Sequence, residues 1–249
     1  MKPGRYAARL AMALTSAALL SCATGPVATQ PAQPQAGQAA AAANPDADYA
    51  ELQKAGGRLY RIDPRASDIR IFVFRGGPAA RFGHNHILTA PRFEGRVLLP
   101  KEGVDHVRFD LVFRLDQLEI DPPALVDRVG EGFATVLSAD SLAGVRAHML
   151  GERNMQADRY PLVRIRSLQV EGEAPAFAAR VEVEMHGRRR DLWLPLQVRI
   201  SPGQIAVDGR MILRQTDFDI TPYAVLGGLL AVRDPVLIEF RLVGHAVAG

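Results

Sequence analysis

From residue 58 onward, apolar residues recur at every second position through most of the chain. This is the period of strands that bury one face. Val107, Phe109, Leu111, Phe113 and Leu115 alternate with Arg108, Asp110, Val112 and Arg114. Val181, Val183 and Met185 alternate with Glu182 and Glu184, and Leu192, Leu194, Leu196, Val198 and Ile200 with Asp191, Trp193, Pro195, Gln197 and Arg199. Ile205, Val207, Gly209, Met211 and Leu213 oppose Asp208, Arg210 and Arg214, and Val236, Ile238, Phe240 and Leu242 oppose Glu239 and Arg241. Residues 68–75 and 93–99 read as further strands with a less clean alternation. Turn residues separate the runs at Gly76-Gly77-Pro78, Pro100 to Gly103, Gly172 to Pro175, His186-Gly187 and Ser201-Pro202-Gly203. Such short connections predict antiparallel pairing.

One stretch has helical period. Leu142, Val145 and Met149 form a stripe, with Ser138 or Asp140 as cap and Gly151 as stop. Residues 46–55 are expected to add a short helical lead-in, and 121–136 another turn of helix. Eight or more antiparallel strands with one apolar face predict a closed barrel or a sandwich. A barrel of about eight strands is just wide enough to fill with side chains or to hold one small ligand. The alternation is compatible with a dry core and with an apolar pocket.

The beginning of the chain changes how its charge is read. Lys2, Arg5 and Arg9 precede an apolar run from Leu10 to Leu20 that is too short for a stable membrane span. The run ends in Leu19-Leu20-Ser21-Cys22, which resembles a bacterial lipobox, with cleavage before Cys22 and diacylglycerol on its thiol. Residues 1–21 are therefore expected to be a signal peptide. The sequence from 22 to 57 is an Ala-, Pro- and Gln-rich lipidated tether too poor in large apolar residues to fold, and 58–249 is one barrel domain. Ala23 follows the cysteine, with no aspartate there to retain the protein in an inner membrane. The expected location is thus the cell envelope, on an outer membrane facing the periplasm. The three basic residues of the signal account for all of the formal net charge of +3. The mature chain is neutral, and nucleic acid is not an expected partner. Cys22 is the one cysteine, which excludes a disulfide framework and a cysteine-type zinc site.

Several stretches together resemble the YceI family, lipocalin-like β-barrels that bind polyisoprenoid lipids. Tyr60-Arg61-Ile62-Asp63 followed by Ser67 resembles the opening strand, and Phe93-Glu94-Gly95-Arg96-Val97 the next motif. Asp158-Arg159-Tyr160-Pro161 leads into Val163, Ile165 and Ser167 as the family's segment after the helix does. Val181 to Val198 resembles its hairpin through His186-Gly187, Arg214 to Ile220 a later strand, and Pro235 to Leu242 the closing strand. The sequence departs from the family pattern at Ile165, where an aromatic is usual, and at Asp219, where glycine is typical. The segment Arg81-Phe82-Gly83-His84-Asn85-His86 is an addition to the plain lipid-binding pattern. The resemblance implies an all-β, antiparallel lipocalin-like barrel of about eight strands with one or two short helices. It also implies a non-enzymatic carrier of a long apolar ligand, a polyisoprenoid or isoprenoid quinone.

The candidate ligand wall is the inward phase: Phe109, Leu111, Phe113, Val183, Met185, Leu194, Val207, Met211, Ile238 and Phe240. His84 and His86 are placed at the barrel mouth to orient a headgroup. Two apart on a strand, both imidazoles would share a face. That makes them half of a site for a divalent transition metal, with His148, His186 or Asp217 as possible third ligand, and this is the competing reading. Asp217 and Asp219 would share a strand face as well, and they are expected to be solvated. Arg188-Arg189-Arg190 reads as a solvated hairpin tip or a contact for anionic lipid headgroups. Trp193 falls on the outward phase. No Gly-x-Ser-x-Gly elbow, phosphate loop or Cys-His nucleophile is present.

Overall fold

The computed structural model describes residues 45–247 apart from 102, 105 and 134–136. The signal segment, Cys22 and the tether up to residue 44 lie outside the described residues. Helix α1 (Pro45–Lys54) precedes strands β1 (Arg58–Ile62), β2 (Asp68–Val73), β3 (Arg75–Gly76), β4 (His86–Thr89), β5 (Phe93–Leu99), β6 (Arg108–Arg114) and β7 (Glu119–Ile120). Helices α2 (Pro123–Val129) and α3 (Ala139–Leu150) follow. The chain then forms β8 (Leu162–Glu173), β9 (Ala176–Met185), β10 (Arg188–Ser201), β11 (Gln204–Arg214), β12 (Ala224–Val225), β13 (Leu230–Val232) and β14 (Pro235–Ala246).

Eight strands close in the order β1-β5-β6-β8-β9-β10-β11-β14, and β14 pairs back to β1. All pairings are antiparallel. Closure removes the exposed edges that an open sheet would present. The free side of β14 is shared: Leu237 to Arg241 pair with β2, whereas Gly244 to Ala246 pair with β1. A branch of β2, β4 and β7 thus extends the wall at one end. The closing seam turns on small residues. A Cβ on Gly95 would sit 3.2 Å from Ile62, and one on Gly244 would sit 3.0 Å from both Ile62 and Ile205. Glycine at both positions lets the neighbours of β1 curve tightly over Ile62.

The two-residue turn between β9 and β10 is His186-Gly187, with φ of 52° and 70°, as a hairpin with primed-turn twist requires. Glycine is needed there for a second reason: a Cβ on Gly187 would sit 2.7 Å from the Tyr160 ring. One irregularity falls between Ser167 and Gln169 in the β8–β9 ladder. It switches the inward phase, so that Val163 and Ile165 before it and Val170 after it all face the interior.

The three α-helices described fall on the three stretches expected to be helical. Helix α3 is capped by Ser138, whose side chain accepts from the Ser141 amide at 3.2 Å. Helix α1 lies where the helical lead-in was expected, but it docks on the barrel. Tyr49 is buried against β5 and β6, with the Arg96 guanidinium 4.1 Å from its ring centroid. Burial first, and then Asp110, push the Tyr49 hydroxyl well above the usual phenol range, so it stays protonated. The end of the segment read as tether is thus part of the folded unit. The unit Ala43–Gly249 is compact by itself, and its described buried apolar residues run from Tyr49 to Val243.

Candidate ligand-binding site

The barrel encloses a cavity of about 730 Å³, within the size range of small-molecule sites. It follows the strands lengthwise. On β10, Leu194, Leu196, Val198 and Ile200 all border it, which is roughly 20 Å of strand at the antiparallel rise. The ten apolar positions of the inward phase, namely Phe109, Leu111, Phe113, Val183, Met185, Leu194, Val207, Met211, Ile238 and Phe240, all lie on this wall. Gly209 is the space into which Phe240 folds, because a Cβ there would collide with the ring. That contact keeps the Phe240 ring against the wall and leaves the lumen open.

Among the described residues, the polar part of the wall lies at one end. His86, Ser141, His148, Asn154, Gln215 and Tyr223 border the cavity there, where β2 and β11 end and β4 and β14 begin. Helix α3 lies across this end. Ser141, Gly144, Val145, His148 and Met149 share one helical face and border the cavity, yet no residue of α3 is buried. Arg146 holds the helix in place by donating to the Leu118 and Asp116 carbonyls. The far side is pinned by the His148 ring stacked 4.8 Å from Tyr223 and by Asn154 Nδ2 donating to Thr221 O at 3.1 Å. Among the described residues the wall contains no lysine, arginine, aspartate or glutamate.

His84 and His86 do not share a face. Strand β4 begins at His86, so His84 lies in the preceding loop, exposed and off the cavity wall. His86 pairs with Asp121, with Nδ1 and Oδ2 2.7 Å apart, while Asp121 Oδ1 accepts from the Ile87 amide at 2.8 Å. Both side chains are mostly shielded, at 15% and 8% exposure. An ionised carboxylate only accepts, so Nδ1 carries the proton facing it. Nε2 is then the atom His86 has left to offer the cavity. Asp121 escaped notice in the sequence because it lies 35 residues from His86, on a turn at φ 49° ahead of Pro122-Pro123. The aspartate–proline–proline run marked a turn and did not name its partner. An Asp121→Asn variant keeps the Ile87 acceptor but can turn an amide N–H towards Nδ1. Retention of a cavity ligand whose hydroxyl donates to Nε2 should then fall roughly three- to tenfold, measured as ligand extracted per mole of protein.

The metal reading finds no third ligand among the described residues, where no three His, Cys, Asp or Glu side chains come together. His186 is buried, with Nδ1 bonded to Phe218 O at 2.9 Å and its ring 5.0 Å from Tyr160. His148 is stacked on Tyr223. Asp217 and Asp219 do not share a strand face either, because residues Gln215–Phe218 form a 3-10 turn and Asp219 ends it at φ 57°. Asp219 is paired with Arg188 at 2.5 Å, and Arg189 with Glu184 at 3.2 Å, so two arginines of the hairpin tip are occupied. Trp193 faces outward, half exposed.

An eight-stranded closed antiparallel barrel with an apolar lumen and one polar end defines a lipocalin-like binding protein scaffold. The YceI-like domain model matches residues 60–244, and the chain belongs to that family. Solved structures that share the fold include the following two. BcnA of Burkholderia cenocepacia aligns at 12% identity and TM-score 0.55, over 73% of this chain and 98% of its own. A polyisoprenoid binding domain from Saccharophagus degradans, implicated in plant cell wall breakdown, aligns at 12% identity and TM-score 0.51, over 76% and 98%. No curated protein matches the sequence.

Proposed function

We propose that the protein is an envelope lipid carrier that holds one isoprenoid-tailed ligand, a polyisoprenoid or isoprenoid quinone, in the barrel. The observation that carries this reading is the lengthwise apolar cavity whose described polar residues lie at a single end. It suits a ligand with a long hydrocarbon tail and a small head. The described similarity to a polyisoprenoid binding domain supports the same ligand class. The described residues of the wall include no lysine or arginine and offer a diphosphate no counter-charge. The head that fits is therefore neutral, a hydroxyl or a quinone carbonyl. His86 serves either one. Neutral, with its proton on Nδ1, it accepts from a hydroxyl at Nε2. Protonated and supported by Asp121, it donates to a carbonyl. Phe109, Leu111, Phe113, Val183, Met185, Leu194, Val207, Met211, Ile238 and Phe240 would surround the tail.

Export by residues 1–21 and acylation at Cys22 would place this carrier on a membrane surface, facing the periplasm from an outer membrane. Several acyl chains on one cysteine hold a protein stably where a single chain does not. The test is organic extraction of the full chain purified from its membranes, followed by mass spectrometry. The expected result is one isoprenoid-tailed lipid per protein, with the neutral head lost preferentially from a His86→Ala variant. A chain recovered in folded form with no lipid in the extract overturns the reading.

A further inference from the structure

The polar end of the barrel carries a projection that the cavity does not need. Strands β12 and β13 form a small hairpin paired to β3, and its two ends begin at cavity residues, Tyr223 and Val232. The tip is Leu226-Gly227-Gly228-Leu229. Leu226 is 71% exposed and Leu229 48%, and a Cβ on Gly227 or Gly228 would meet nothing within 4 Å. Beside it lies the 3-10 turn Ala80–Phe82, tied on by the Ala79 amide donating to Leu229 O at 2.9 Å. Phe82 is 65% exposed. Three large apolar side chains thus stand in solvent on one projection, a different case from the isolated exposed apolar residues of a sheet surface.

The segments that form the tip carry charge of one sign, and Asp234, which follows them, is turned to Thr216 and Arg214. Residues 75–85 and 221–233 contain Arg75, Arg81 and Arg233 and no aspartate or glutamate. Arg81 stacks over the Phe82 ring, 4.5 Å from its centroid. Arg75 donates to Gly83 O and Arg233 to Arg75 O, and none of the three is ion-paired among the described residues. Arg75 and Arg233 border a shallow cleft with Asn85, and Asn85 in turn bonds Gly132 O, next to which stands Glu131. Leucine and phenylalanine at an exposed tip, with Arg81 on the Phe82 ring and Arg75 and Arg233 on the adjoining segments, match a bilayer interface containing anionic lipid. A second copy of the same surface would bring cation against cation.

We propose that the β12–β13 tip and Phe82 form a membrane-docking edge, which seats the polar end of the barrel on an anionic bilayer. A ligand could then pass between bilayer and cavity with little of its tail entering water. The purpose of the edge rests on the carrier reading, but its existence does not.

The test uses the compact unit Ala43–Gly249, which lacks Cys22. Flotation is measured with vesicles of phosphatidylglycerol and phosphatidylethanolamine, and with phosphatidylcholine alone. Binding is expected to the anionic vesicles, weakened by salt. A Phe82→Asp, Leu226→Asp, Leu229→Asp variant should bind at least about tenfold more weakly, while Ile212→Asp, on an exposed β11 position, leaves binding unchanged. In a Trp193→Phe background, Leu226→Trp provides the sole tryptophan, and its emission should shift to shorter wavelength on those vesicles. Equal binding by the triple variant, absence of any vesicle binding, or an unmoved emission overturns the proposal. Extracted lipid separates the two readings. A triple variant that loses docking and retains its lipid leaves the carrier reading intact. An unmodified protein that docks but contains no lipid removes the carrier reading alone.

Discussion

Met211→Trp is expected to empty the barrel without unfolding it. Met211 borders the cavity from β11, three residues before the strand ends, and is 9% exposed. An indole there fills space that a bound tail would occupy. In a filled core the same enlargement would force neighbours off their rotamers at about 1–3 kcal/mol. In a hollow barrel the added atoms enter the lumen, and stability changes little. Displacing about three methylenes of a ligand tail removes roughly 2.5 kcal/mol of burial. Lipid retention should therefore fall on the order of a hundredfold, read by extraction beside a thermal melt. The neighbouring residue is the internal control. Ile212 is 67% exposed on the opposite face of the same strand, so Ile212→Trp should retain lipid fully. Loss of stability with Met211→Trp and unchanged lipid would mean that the interior is a packed core.

The pair Met211 and Ile212 also shows why so much of this fold was legible in the sequence. A strand with one buried face writes its orientation into alternate positions. The ten inward residues could thus be named before any pairing was known. Helix α3 was legible for a comparable reason, since its cap and its stripe lie within a few residues of each other. What the alternation could not convey is contact between distant segments. Nothing local links His86 to Asp121, and without that link His84 and His86 looked like a matched pair on a strand. The loop that ends at Asn85, which accepts from the Arg75 amide at 3.0 Å, takes His84 off the strand. The β12–β13 hairpin escaped for another reason. Its two short strands and Gly-Gly tip show no period, and the exposed leucines resemble core residues by composition. The switch of phase in β8 was equally silent, because a bulge is defined by the partner strand.

Asp219 stood out in the sequence as a departure from glycine, and the structure gives the position its meaning through Phe218. The 3-10 turn at Gln215–Phe218 is closed by a left-handed residue, φ 57° at Asp219, a conformation that glycine takes freely and aspartate tolerates. That turn drives Phe218 inward to 1% exposure beside Ile220, also 1%. Its carbonyl accepts from buried His186 at 2.9 Å, joining the β9–β10 turn to the end of β11. Phe218→Ala would leave a ring-sized void beneath this junction, at about 3–5 kcal/mol. For a domain of this size that lowers Tm by roughly 10 °C, a large share of a typical stability of about 5–15 kcal/mol. Asp219→Gly should move stability by only about 0.5 kcal/mol. Relief at the left-handed position offsets greater chain freedom and the loss of the exposed Arg188 pair. A thermal melt of both variants decides the matter. If Asp219→Gly were the more damaging of the two, the turn would be held by its surface ion pair, and the buried ring would be secondary.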